Sequence, residues 1–147
     1  MSSGTLIDLS DAVTNQINLR FAAELGCTAD RILNTEIKLE DLNALHISVV
    51  PGNVVSEIGT RETQRGEYSI DIAVRKRFDA IPNQANIDAL FLAQKNIDGY
   101  LFDEKRLLYM PEAAWLKSNL RYPYVPAALR DLQQFTGILA VTYVIYD

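Results

Sequence analysis

Glu67 to Phe78 reads EYSIDIAVRKRF, and the pattern of this stretch decides the fold. Tyr68, Ile70, Ile72, Val74 and Phe78 fall on one face of an extended strand, while Glu67, Ser69, Asp71, Arg75 and Arg77 fall on the other, with Ala73 neutral. A one-residue slip would bury the charged set and expose the core set, so the pairing of this strand is strongly specified. It is expected near the centre of a sheet, with its Arg75-Lys76-Arg77 end solvated.

Upstream, Leu45 to Pro51 (LHISVVP) alternates in the same way, and Pro51 is expected to stop the ladder because it has no N–H to donate. Gly52 to Gly66 joins the two strands and is too long for a tight turn. Its glycines, mixed charges and apolar Val54, Val55 and Ile58 fit an extended hairpin, a mobile surface loop or an arm that orders against a partner. Arg61 and Arg65 would share one side of an extended ribbon, where they could meet carboxylates of a neighbouring chain. Arg31 to Leu39 is rich in β-branched residues and is expected to contain a short strand.

Two helices flank this region. Leu6, Leu9, Val13, Ile17 and Phe21 recur every three or four residues, with Thr5 and Asp8 at capping-box spacing and an end near Gly26. The opposite side, with Asp11, Gln16, Arg20 and Glu24, is expected to be solvated. Downstream of Phe78, Ile87, Leu90, Phe91, Ile97 and Leu101 form a second stripe, with Asn83 or Asn86 as candidate cap. Leu107 to Met110 and Ala114 to Leu120 read as short extended pieces around Pro111. In the proline-rich stretch that follows, Tyr122 and Tyr124 either form a contact surface or fold back on the core. The last strand, Gln133 to Tyr146, has Leu139, Val141, Tyr143 and Ile145 on one face and Ile138, Ala140, Val144 and Tyr146 on the other. Both faces are largely apolar, so the second needs cover from a helix or another subunit.

These patterns imply an α+β domain over residues 1–147, an antiparallel sheet of about four to five strands with two amphipathic helices packed on it and a probable arm at 52–66. The apolar fraction of 48% and charged fraction of 22% are those of an ordinary globular chain and favour neither disorder nor a collagen-like or disulfide-dense architecture. A net charge of −5 argues against a broad nucleic-acid-binding surface, because phosphate affinity rests on Lys and Arg. The lone Cys27 and the lack of a basic region followed by an apolar one at the N-terminus suggest folding in a reducing cytoplasm. No apolar run reaches the roughly 20 residues of a membrane-spanning helix.

No phosphate-loop, dinucleotide, zinc-protease, nucleophile-elbow or paired C-x-x-C motif occurs. His46 is the only histidine, and no cysteine or second histidine lies at ligand spacing. The expectation is no enzyme, no cofactor and no metal. A small-molecule or catalytic site around His46 and nearby Glu40 and Asp41 is the alternative, and it would need a pocket with His46 in its wall.

Order and detail together carry a resemblance. Asp11-Ala12-Val13 opens a helix, and Leu39-Glu40-Asp41-Leu42 precedes the Leu45 to Pro51 strand. An Arg61-bearing loop leads to Tyr68-Ser69-Ile70-Asp71-Ile72 and Arg75-Lys76-Arg77. Ile87-Asp88-Ala89-Leu90 opens a helix, and Gln134-Phe135-Thr136-Gly137 enters the last strand. From about Asp11 to Tyr146 this resembles the tail terminator group of small tail-completion proteins in long-tailed, lambda-type bacteriophages; residues 107–126 are the least similar part. The resemblance implies a structural virion protein that assembles in the host cytoplasm as a homohexameric ring. That ring would cap the tail tube, contact tail tube and head–tail connector proteins, and pass DNA without reading its sequence. A connector or stopper subunit of the neck is the nearest alternative. Candidate contact residues between subunits are Val54, Val55, Ile58, Arg61 and Arg65 of the arm and Ile138, Val144 and Tyr146 of the last strand. Ring subunits meet through two different patches.

Overall fold

The computed structural model describes residues 5–25, 29–31, 45–58, 64–77, 84–121 and 134–146. Helix α1 (Thr5–Leu25) leads into strand β1 (Ala29–Arg31) and then the long hairpin of β2 (His46–Ile58) and β3 (Gln64–Arg77). Helix α2 (Gln84–Glu104) follows, then β4 (Arg106–Leu107), β5 (Met110–Arg121) and β6 (Gln134–Tyr146). The six strands lie in the order β1-β2-β3-β6-β5-β4, and every pairing is antiparallel except β1 with β2.

The α+β architecture expected from the periodicities is present, with β3 at the centre of the sheet. The additional strands are β1 and β4, three and two residues long, too short for alternation to reveal. The parallel β1–β2 pair makes the sheet mixed. Of the predicted Arg31 to Leu39 strand, only Arg31 is in β1; residues 32–39 lie outside the described residues.

Pro51 does not end its strand. β2 passes through it, and the register shifts between Pro51 and Val54. Proline is tolerated where a strand is bulged or has become an edge, and β1 covers β2 only as far as Val49. Gly52 makes the bulge possible, because a Cβ there would stand 2.6 Å from the carbonyl oxygen of Ser69. Residues 52–58 and 64–66 of the expected arm accordingly belong to β2 and β3, and β3 pairs with β6 from Arg65 to Arg77, while residues 59–63 lie outside the described residues.

Both helices pack on one face. Leu9, Val13, Ile17 and Phe21 of α1 and Leu90, Ile97 and Leu101 of α2 join Ile47, Val49, Tyr68, Ile70, Ile72, Val74, Leu139, Val141 and Tyr143 in one buried core. Burying each such side chain is worth about 1.5–3 kcal/mol before chain entropy is subtracted. The rings of Phe21 and Tyr100 meet edge to face at 5.5 Å and tie the helices together.

Lys105 ends α2 in the left-handed region, with φ of 57° and its N–H on the Leu101 carbonyl. Its own carbonyl then takes the Trp115 N–H at 2.6 Å, turning the chain into β5. β5 runs straight through Pro111 and contains the expected piece Ala114 to Leu120, while the expected piece Leu107 to Met110 is the end of β4, a turn at Leu108-Tyr109 and the first residue of β5.

Candidate functional site

One face of the sheet carries no helix among the described residues and is reached by the alternate residues of each central strand. Across it, Ser48 stands opposite Ala73 and Val50 opposite Asp71, and Ser69 and Asp71 of β3 face Thr142 and Ala140 of β6. Much of this face is already out of water: Ala73, Arg75, Thr142 and Val144 are all buried. Val144 and the half-buried Ile138, two predicted contact residues, lie here. A cleft of about 390 Å³ opens beside them, with Ser69, Asp71, Lys117, Asn119 and Thr142 in its wall and the Ser69 and Thr142 hydroxyls 3.0 Å apart.

Arg75 departs from expectation. It was predicted on a solvated strand end, yet it is 7% exposed, and its Nε has no hydrogen-bond partner among the described residues. Removal from water pulls its guanidinium below the ordinary arginine value. The signal that could have exposed this was the second apolar face of β6, since Arg75 stands opposite Thr136 and two places from Ile138's partner, Ala73. His46 is half-buried across β2 from Arg75 and lines none of the three clefts described. No group of three or more His, Cys, Asp or Glu among the described residues could hold a metal ion.

The hairpin arm supplies the other predicted contacts. Val54 is 44% exposed and stands opposite Tyr68. Val55 and Ile58 continue β2 opposite Glu67 and Gln64, and Arg65 pairs with Glu57 on one side and Tyr146 on the other. These five positions therefore share the distal end of the central strands. Arg61 lies outside the described residues.

The helix layer carries two further clefts. One, of about 550 Å³, lies between the helices over Phe21 and Tyr100 and is flanked by Arg20, Lys95 and Asp103. The other sets Asp8, Asp11 and Glu112 around Tyr109. Asp11 is held by Arg31, Nε to Oδ1 at 2.6 Å. Gln16, expected in solvent, is instead 2% exposed: its Nε2 donates to the Tyr100 hydroxyl at 2.7 Å, and its Oε1 accepts the Leu108 N–H at 2.8 Å. That amide fixes the exposed Leu108-Tyr109 turn to both helices.

No family model matches the chain, and no curated protein matches it. Among solved structures it is similar to the sheath/tube terminator, in the extended state, of the extracellular contractile injection system PVC, at 12% identity and a TM-score of 0.46. The match covers 100% of this chain and 58% of that one, so the chain spans little more than half the length of its structural neighbour. No helix is long and apolar enough to cross a membrane among the described residues.

Proposed function

We propose that this chain is a structural component of a phage-type tail: a terminator subunit whose ring caps the tail tube and joins it to the head connector, with DNA passing through the lumen. The observation that carries the reading is where the tail-terminator-like residues fall. His46 to Pro51 lie in β2, Tyr68 to Arg77 in β3, Ile87 to Leu90 in α2 and Gln134 to Gly137 in β6, in the order that builds one sheet with both helices on one face. The net charge of −5 suits a channel that must release DNA.

A closed ring, hexameric in this reading, would place the protein in the virion between tube and connector. Light scattering of the purified protein and electron microscopy of tail ends test this. A ring of uniform mass that binds the ends of tail tubes is the expected result. A protein that is monomeric at every concentration and also absent from tail particles would overturn the reading.

A further inference from the structure

Two strands run past their outer partners. β1 pairs with β2 only at residues 47–49, and no described strand lies beside residues 50–58 on that side. At the other end of the sheet, β4 and the Lys105 carbonyl cover β5 as far as Trp115, leaving residues 116–121 with β6 on their inner side and no described strand outside. The sheet does close an edge elsewhere: Asn18 donates to the Ala29 carbonyl at 3.1 Å and accepts the Ala29 N–H at 2.6 Å, occupying the outer side of β1. An unprotected edge is a template for another strand.

The two edges that no described strand covers complement each other. β2 and β5 point in opposite directions, since three antiparallel pairings separate them. Rotation about an axis along the strands preserves direction, so β2 of one copy would meet β5 of the next antiparallel. In the register that sets Val54 opposite Leu120, Glu57 falls opposite Lys117, Ser56 opposite Ser118 and Ile58 opposite Leu116. Apolar then meets apolar and acid meets base. The faces agree as well. Val54 and Leu120 stand opposite Tyr68 and Leu139 on the helix side, while Glu57 pairs with Arg65 and Lys117 with Thr142 at positions of the opposite parity. Val54 and Leu120 are 44% and 38% exposed, one large apolar side chain left in water on each edge.

We infer that residues 53–58 of β2 pair with residues 116–121 of β5 in a second copy of this chain, in the Val54–Leu120 register, making one sheet continuous from subunit to subunit. About six residues give roughly 20 Å of shared ladder. The two patches differ and lie on opposite sides of the subunit, as a head-to-tail ring requires. The inference rests on the ring reading above and supplies its contact.

Val54→Lys and Leu120→Lys test it, each placing a charge on an exposed position of one edge only. Circular dichroism and melting temperature report that each variant is folded. Light scattering should show that each alone loses the wild-type assembly. Their mixture should give a dimer and nothing larger, because the intact β5 edge of the first fits the intact β2 edge of the second. Glu57→Lys should weaken assembly, and Lys117→Glu added to it should restore it. Several results overturn the inference: both lysine variants keep the wild-type mass, only one of them dissociates, which means a two-fold contact, or their mixture stays monomeric. A wild-type oligomer untouched by either variant leaves the ring reading standing. A wild-type monomer overturns the inference too, and it counts against the ring only if the protein is also missing from tail ends.

Discussion

The two helices cover the same sheet face but handle their buried polar groups in opposite ways. On α1, the buried polar side chains among the described residues are all bonded: Ser10 to the Leu6 carbonyl, Thr14 to the Ser10 carbonyl, both at 2.8 Å, and Gln16 to Tyr100 and Leu108. On α2, Gln94 is fully buried with neither amide atom bonded among the described residues, and Oδ1 of Asp98 also lacks a partner. α2 is seated by shape instead. The Gln94 amide fills the space that a side chain on Gly137 would take, and the Phe102 ring meets Trp115 edge to face at 4.9 Å. A polar network surrounds the buried amide of one helix, and steric fit alone surrounds that of the other.

Breaking the steric fit should have the largest effect. Gly137→Ala drives a Cβ into the Gln94 amide, which has no exposed space to move into. Denaturant melts should show a loss of about 2–3 kcal/mol. Gln94→Ala in the same chain should recover most of it, a coupling that additive effects would not give. On α1 the corresponding change is Gln16→Leu, which keeps the apolar packing but leaves the Leu108 N–H without its acceptor and the Tyr100 hydroxyl without its donor. A loss of about 2 kcal/mol is expected. Hydrogen exchange at Leu108 should accelerate in this variant, while exchange in β3 should change only through global unfolding.

How each helix lies was legible in the sequence; how each is fastened was not. The stripes through Leu9, Val13, Ile17 and Phe21 and through Leu90, Ile97 and Leu101 became the buried faces because helical periodicity records burial directly. The alternation of β3 likewise put Tyr68, Ile70, Ile72 and Val74 in the core. Gln16 defeated the pattern, since a polar residue on a polar arc looks solvated unless its distant partners, Tyr100 and Leu108, are known. Arg75 misled for a related reason, because its burial depends on what surrounds a face that alternation can only mark as polar. β1 and β4 are shorter than any period. Of the candidate interface, Val54 was visible as an apolar residue in a hairpin arm, but the open outer edge of β5 depends on where β4 stops, and no local signal marks that.

Gln94 sharpens the contrast by sign. If the amide has no partner to lose, Gln94→Met should not destabilise the protein. Removing an unpaired buried polar group at similar volume is expected to stabilise it by about 1 kcal/mol in the same melts. A loss comparable to that of Gln16→Leu would mean that Gln94 is held by a polar bond after all.

The smallest effect belongs to the sheet beneath the helices, at Tyr143. Its ring is fully buried in the core, paired across the strands with Tyr68 and Trp115, and its hydroxyl has no hydrogen-bond partner among the described residues. Tyr143→Phe should therefore be neutral or stabilising by up to about 1 kcal/mol, unlike loss of a bonded core hydroxyl. Burial also pushes the Tyr143 hydroxyl well above the ordinary tyrosine value of 10.0. In the unfolded chain it ionises near that ordinary value, and in the folded one it does not. Above it the unfolded state binds fewer protons, so this group's contribution is intact below pH 10.0 and is lost as pH rises further, by up to about 1.4 kcal/mol per pH unit. Melts of the wild type and Tyr143→Phe should run parallel at neutral pH and diverge above that point, with phenylalanine the more resistant. Parallel curves throughout would place the hydroxyl in contact with water.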